Sequence, residues 1–284
     1  MIIVENLSFT YSKSDKQVLK SLHFSVGKGE VFGFLGPSGA GKSTTQKVLN
    51  GILRNFTGKV HVNGVNLSKI TNSFYEKVGV AFEFPNLYSR LTALENLKLY
   101  AAFYKNETES PEKLLEIINL IDDKNTKVEA FSKGMKMRLN FVRALINKPE
   151  ILFLDEPTSG LDPVNARKMK DIILDLKSNG TTIFLTTHNM SDADELCDRL
   201  AFMIEGELPV IDTPHNLKLE HGKKNIKVEF RENSRTRMEE FPIHHLAKNT
   251  RFLEILEQNN IETIHTQEAT LEDIFIKITG QKLI

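Results

Sequence analysis

An α/β fold with a helical insertion and a small α+β carboxyl-terminal extension follows from three features of this 284-residue sequence. Short apolar runs alternate with helical patterns along the first 215 residues. A glycine-rich turn, GPSGAGKST at 36 to 44, joins one such run to a helix. After about residue 215 the pattern changes character. The length exceeds one ordinary domain and falls short of three. The expected division is a main domain over 1–215 and an accessory domain over 216–284.

The elements justify that class in order. IIVENLSFTY (2 to 11) and KVHVNG (59 to 64) alternate apolar and polar residues and read as half-exposed antiparallel strands, an antiparallel β subdomain. VFGFLG (31 to 36), ILFLDE (151 to 156), TTIFLTT (181 to 187) and LAFMIEG (200 to 206) are continuous, as in a parallel sheet covered on both faces. Between them Thr92 and Glu95 make a capping box for LENLKLYAAFY, and Ser110 with Pro111 starts PEKLLEIINLI. In FSKGMKMRLNFVRAL (131 to 145), Ser132 stands at the cap, and Met135, Leu139, Val142 and Ile146 fall on one helical face. Residues from about 86 to 148 are thus a helical insertion. In the extension, HGKKNIKVEFREN predicts a turn and a strand, and RFLEILEQ a helix. TLEDIFIKITG predicts a second helix capped by Thr270, with Leu271, Ile274, Phe275 and Ile278 on one face. A piece of about seventy residues is expected to pack on the main domain or on a second copy.

Composition narrows the function. Hydrophobic residues at 40% and charged residues at 26% are globular proportions. Lys+Arg 37 against Asp+Glu 37 gives no net charge, which argues against a protein that coats nucleic acid. No apolar run reaches the roughly 18 to 20 residues of a membrane span, and no signal peptide opens the chain. A cytoplasmic location is expected. The single cysteine, Cys197, reads as a buried small residue in a reducing compartment.

GPSGAGKST fits the phosphate-cradling pattern G-x-x-x-x-G-K-[ST] between a strand and a helix. Gly36, Gly39 and Gly41 allow the tight turn, Pro37, Ser38 and Ala40 complete it, and its N–H groups would surround a β-phosphate. Lys42 offers a mobile positive charge, and Ser43, followed by Thr44, offers a hydroxyl for Mg²⁺. Asp155 and Glu156 leave a buried strand together, a costly placement unless a cation or a hydrogen-bond network uses them. Asp155 suits Mg²⁺ and Glu156 suits polarising an attacking water. His188 follows the strand TTIFLTT, at the strand end where open α/β sheets bind ligands.

Together these residues resemble the ATP-binding cassette (ABC) transporter ATPases over residues 2 to about 210. GPSGAGKST resembles Walker A, ILFLDE Walker B, and SGLD, ending in Asp162, the D-loop. His188 resembles the switch histidine, and FSKGM the signature usually written LSGGQ. The resemblance implies a RecA-like P-loop NTPase core using ATP and Mg²⁺, with Glu156, His188 and Asp162 at the catalytic centre and Tyr11 stacked on adenine. It also implies that Ser132 and Gly134 contact the γ-phosphate of ATP held by a second copy, so that ATP binding makes a homodimer.

Two departures and one further likeness qualify it. Glu83 stands where the family's Q-loop has glutamine, and its carboxylate could still be an oxygen ligand near Mg²⁺. Lys133 and Met135 replace a glycine and the glutamine of the signature, as in the variant common among ABC-2-type exporters. The tail LEDIFIKITG resembles the ending of those same ATPases. The implied role is the ATPase subunit of an exporter, peripheral on the inner face of the cell membrane through a separate ABC-2-type permease. The permease would meet Asn86 to Leu91, with Tyr88 and Arg90 as contacts. One rival is a soluble ABC ATPase acting on ribosomes or DNA. Those translation factors carry two cassettes and those repair proteins long coiled coils, whereas this chain has one cassette and no long heptad run. A second rival, a non-hydrolysing sensor, is opposed by Glu156. The exported substrate stays open, and dimer contact and regulation are both open for residues 216–284.

Overall fold

The computed structural model describes residues 1–12, 15–222, 225–232, 235–258, 260–267 and 269–281. They divide into two compact units, Met1–Pro214 and a second that begins at His215.

The first unit opens with the antiparallel pair β1 (Ile2–Thr10) and β2 (Gln17–Val26) and passes through β3 (Val31–Leu35) into α1 (Lys42–Leu49). β4 (Thr57–Val62) and β5 (Val65–Asn66) return to the antiparallel sheet, whose order is β2-β1-β4-β5. A single turn, α2 (Asn72–Tyr75), leads to β6 (Val78–Ala81). The helical insertion holds α3 (Ala93–Ala101), α4 (Pro111–Ile117) and α5 (Lys133–Arg143). β7 (Ile151–Asp155), α6 (Pro163–Ser178), β8 (Thr182–Thr187), α7 (Met190–Leu196), β9 (Arg199–Ile204) and β10 (Glu207–Asp212) complete the unit. The second sheet runs β10-β9-β3-β8-β7-β6, parallel throughout except for β10.

The continuous apolar runs do become the buried centre: every residue of β3, β7 and β8 is buried. Phe24 of the antiparallel sheet packs among Phe32, Phe34 and Phe184, with the Phe34 and Phe184 ring centroids 4.9 Å apart. Burying a phenylalanine fully contributes about 1.5–3 kcal/mol, so this cluster joins the two sheets firmly. The predicted strands each lose one or two residues at an end, most often a glycine or acidic one, and β4 and β9 begin two and one residues earlier than expected. Strands β2, β5, β6 and β10 stand outside the predicted set. In QVLKSLHFSV lysine, serine and histidine dilute the apolar pattern, and VGVA is too short to show a period.

Capping follows expectation. Thr92 and Glu95 form a reciprocal box at α3, Ser110 caps α4 with Pro111 at its start, and Ser132 caps α5. On α5, Leu139 and Val142 are buried and Met135 half-buried, with Ile146 buried just beyond the helix. Cys197 is buried and free, and Gly33 makes room for it, since a Cβ there would lie 2.5 Å from the cysteine Sγ. Burial pushes the Cys197 thiol far above its ordinary range, with the Asp198 charge adding to the effect. No helix among the described residues is long and apolar enough to cross a membrane.

The second unit follows α8 (Pro214–His221) with β11 (Asn225–Glu232), β12 (Arg235–Pro242), α9 (Thr250–Gln258), β13 (Asn260–Gln267) and α10 (Leu271–Thr279). Its antiparallel sheet has the order β12-β11-β13, and Val228, Phe230, Phe241, Phe252 and Ile255 form its core. Thr270 caps α10 in a box with Asp273, and Leu271, Ile274 and Phe275 are buried. β12 and β13 were not expected, because RTRMEEFP and NIETIHTQ carry the polar residues of sheet edges. Lys223 and Lys224 of the expected turn lie outside the described residues.

Candidate functional site

Three neighbouring strands deliver the chemistry. β3, β8 and β7 are adjacent and parallel. Beyond their carboxyl ends stand the glycine-rich turn, His188, and the Asp155–Glu156 pair.

The turn's glycines answer definite constraints. Gly41 caps α1 at φ 115°, a conformation that other residues rarely adopt. A Cβ on Gly36 would lie 2.1 Å from the Met203 carbonyl oxygen. Lys42 folds back over the turn it follows, its Nζ donating to the Gly36 carbonyl at 2.6 Å and the Pro37 carbonyl at 3.0 Å. It is buried, and burial pushes its ammonium below the ordinary lysine range, against the pull of the Glu156, Asp155 and Glu83 charges.

The two acids are held differently. Asp155 Oδ1 accepts from the Thr186 hydroxyl and, at 3.4 Å, from Ser43 Oγ. Glu156 sits at φ 50°, an uncommon left-handed conformation for a non-glycine residue, and its N–H donates to the Thr186 carbonyl at 2.9 Å. Its carboxylate accepts from Thr187 Oγ1 at 3.1 Å and from the His188 N–H at 2.9 Å. The His188 ring Nδ1 lies 2.7 Å from the same Oε1. An ionised carboxylate can only accept, so the ring Nδ1–H donates to it.

Ser38, Gly39, Gly41, Lys42, Ser43 and Thr44 line one cavity of about 310 Å³ with Glu83, Asp155, Glu156 and His188. Gly36, Pro37 and Ala40 stand outside that lining. Tyr11 is also outside it, but its hydroxyl hydrogen-bonds Thr44 Oγ1 at 3.1 Å and its ring meets Phe9 edge-on with centroids 4.8 Å apart.

Among the described residues no group of three or more His, Cys, Asp or Glu side chains forms a metal cluster. Ser43 and Asp155 nevertheless bring a hydroxyl and a carboxylate together, with Glu83 in the same cavity. So few protein oxygens fit Mg²⁺, which keeps several waters and shares phosphate oxygens instead of filling a protein cage.

Besides Gly36, Pro37, Ala40 and Tyr11, three more expected residues do not line the cavity. Ser132 is exposed, and its Oγ accepts from the Met135 N–H at 3.2 Å. Gly134 packs on the loop ahead of α6, where a Cβ would stand 3.7 Å from Leu161 Cδ2, an ordinary contact. Asp162 caps α6. The Asn165 side chain at 2.5 Å, with the Asn165 and Val164 N–H groups, holds its carboxyl below the usual range.

Sequence reasoning missed Val18, an apolar lining residue in a strand it did not predict. It also missed Thr186 and Thr187, whose hydroxyls hold the two acids. The two polar residues ending TTIFLTT, buried in the centre of a sheet, were the available signal.

Comparisons with known proteins give the family. Residues 19–159 match the model of the ABC transporter family. Residues 224–268 match that of the fluoroquinolone efflux ABC transporter C-terminal domain. A fluoroquinolones export ATP-binding protein of Mycobacterium tuberculosis (strain ATCC 25618 / H37Rv) is 49% identical over 284 residues, covering 100% of this chain and 94% of that protein. The linearmycin resistance ATP-binding protein LnrL of Bacillus subtilis (strain 168) is 37% identical over 76% of this chain and 70% of its own length. Among solved structures, a dimeric ATP-binding cassette in a post-hydrolysis state bound to ADP and Pi is similar with a TM-score of 0.70 and 26% identity. That likeness covers 75% of this chain and 98% of the other. The chain belongs to the ATP-binding cassette transporter family, whose members bind and hydrolyse ATP.

Proposed function

We propose that this chain is the ATP-hydrolysing subunit that powers export through a separate ABC-2-type membrane permease, two copies enclosing two ATP molecules between them. The observation that carries the reading is the split of the site. Lys42, Ser43, Asp155, Glu156 and His188 meet in one cavity, while Ser132 and Gly134 stand outside it. Gly134 has an ordinary φ and room for a Cβ, so nothing within this chain calls for glycine there. Close approach by a phosphate held on a second copy does.

On this reading Tyr11 and Val18 face the adenine. The turn from Gly36 through Pro37, Ser38, Gly39, Ala40 and Gly41 to Thr44 cradles the phosphates, with Lys42 on the β and γ groups. Ser43, Asp155 and Glu83 are the groups that would hold Mg²⁺, which when bound neutralises developing charge on the phosphate oxygens. Glu156 takes the proton of the attacking water, and His188 keeps that carboxylate in place. Asp162 stiffens the loop that meets the second copy. Export is supported by the names of the relatives, both at more than 30% identity. Asn86 to Leu91, with Tyr88 and Arg90 exposed, is the segment offered to the permease. The main and accessory domains correspond to 1–215 and 216–284.

Purification of the tagged full chain from solubilised membranes tests the export reading. A multi-span membrane protein recovered with it is the expected result. Recovery with ribosomes or DNA alone contradicts it.

A further inference from the structure

The helix that begins at Ser132 grips the outer edge of the parallel sheet through a row of polar side chains. β6 is the edge strand, and the carbonyls of its Val78 and Val80, with that of Phe82 just beyond it, point away from β7, as alternation along a strand requires. Asn147, just beyond α5, donates to the Val78 carbonyl at 3.0 Å, Arg143 to Val80 at 2.9 Å, and Asn140 to Phe82 at 2.8 Å. Close approach of the two backbones is possible because Gly79 has no Cβ, which would otherwise lie 2.1 Å from the Ala144 carbonyl oxygen.

Asn140 is the member of this row that reaches the segment carrying Glu83. It is 1% exposed, and its Oδ1, like Arg143 Nε and Asn147 Oδ1, has no hydrogen-bond partner among the described residues. A buried polar atom left unpaired is destabilising, and here that cost is offset by the bond the other end of the amide makes to Phe82. Its one bond holds the carbonyl next to Glu83. The far side of the same arch is held from α3, where Tyr100 Oη donates to the Asn86 carbonyl at 2.7 Å. Glu83 therefore hangs between two anchors, with Phe84 beside it 75% exposed.

We propose that Asn140 is a positioning residue for Glu83, setting from the buried face of α5 where that carboxylate stands in the nucleotide cavity. The inference rests on the reading of Glu83 as an oxygen ligand beside the triphosphate. It adds that the helix capped by Ser132 and the loop carrying Glu83 move as one piece.

A double-mutant cycle on the full chain tests it, with Asn140→Leu and Glu83→Ala alone and combined, and steady-state ATPase turnover as one readout. With Glu83 present, Asn140→Leu lowers turnover by roughly 10- to 100-fold, the scale of a misplacement of about 1 Å. With Glu83→Ala already lowering turnover, Asn140→Leu adds no further loss. Equal losses in both backgrounds overturn the role of Asn140 and leave that of Glu83 standing. A Glu83→Ala variant with unchanged turnover overturns both. Nucleotide-free hydrogen exchange is the second readout: Asn140→Leu should speed exchange in residues 82–88 and leave β7 and β8 protected, and an unchanged pattern overturns the proposal. Asn140→Ala carries the same expectations where the leucine variant does not fold.

Discussion

His188 reaches Glu156 twice, through its backbone N–H at 2.9 Å and its ring Nδ1 at 2.7 Å, both to the same carboxylate oxygen. The backbone contact survives loss of the ring. Glu156→Gln, which removes the base, is expected to lower turnover by the 10²- to 10⁴-fold typical of general-base loss, with ATP binding retained. His188→Ala is expected to cost less than Glu156→Gln, because the main chain and Thr187 still hold the carboxylate. Steady-state ATPase assays check both, and wild-type turnover in Glu156→Gln removes that residue from the role.

Lys42 lies buried against the carbonyls of its own turn, beside three carboxylates. A charge-assisted hydrogen bond is worth about 1.5–3 kcal/mol, or roughly one to two powers of ten in affinity. Lys42→Ala should weaken ATP binding by that amount in calorimetry. Unchanged affinity would place the phosphates elsewhere.

Glu83 shares the cavity with Ser43 and Asp155. Because Glu83→Gln keeps an oxygen at the same reach, ATPase activity should persist. Complete loss of turnover in that variant would show that the negative charge itself is required.

Thr186 is fully buried, and its hydroxyl donates to Asp155 Oδ1 while facing Gln46 Oε1 at 3.2 Å. Thr186→Val keeps the shape and leaves Asp155 Oδ1 only the longer bond from Ser43 Oγ. The nucleotide-free protein should lose about 1–3 kcal/mol of stability, read by urea denaturation. A variant as stable as the wild type would show that the hydroxyl does not stabilise Asp155.

Much of the fold was legible because burial on both faces leaves a plain mark: β3, β7 and β8 are apolar runs, and each ends in its functional residues. The caps at Thr92, Ser110, Ser132 and Thr270 were legible because a side-chain oxygen must meet the first free N–H groups of a helix. β12 and β13 were not, since edge strands need no apolar alternation. Thr186, Thr187 and Asn140 were also hidden. Their work is to hold a neighbour's oxygen across elements 31 to 58 residues apart in sequence, and local pattern carries no trace of that.

The central claim is that each ATP is enclosed by the turn at Lys42 of one copy and the turn at Ser132 of another. Mixing two inactive variants, Lys42→Ala and Ser132→Arg, tests it most directly through ATPase activity. In a mixed dimer one site combines both defects, and the other combines an intact Lys42 turn with an intact Ser132 turn. The account predicts that mixing restores turnover well above either variant alone; a mixture as inactive as its components would contradict it.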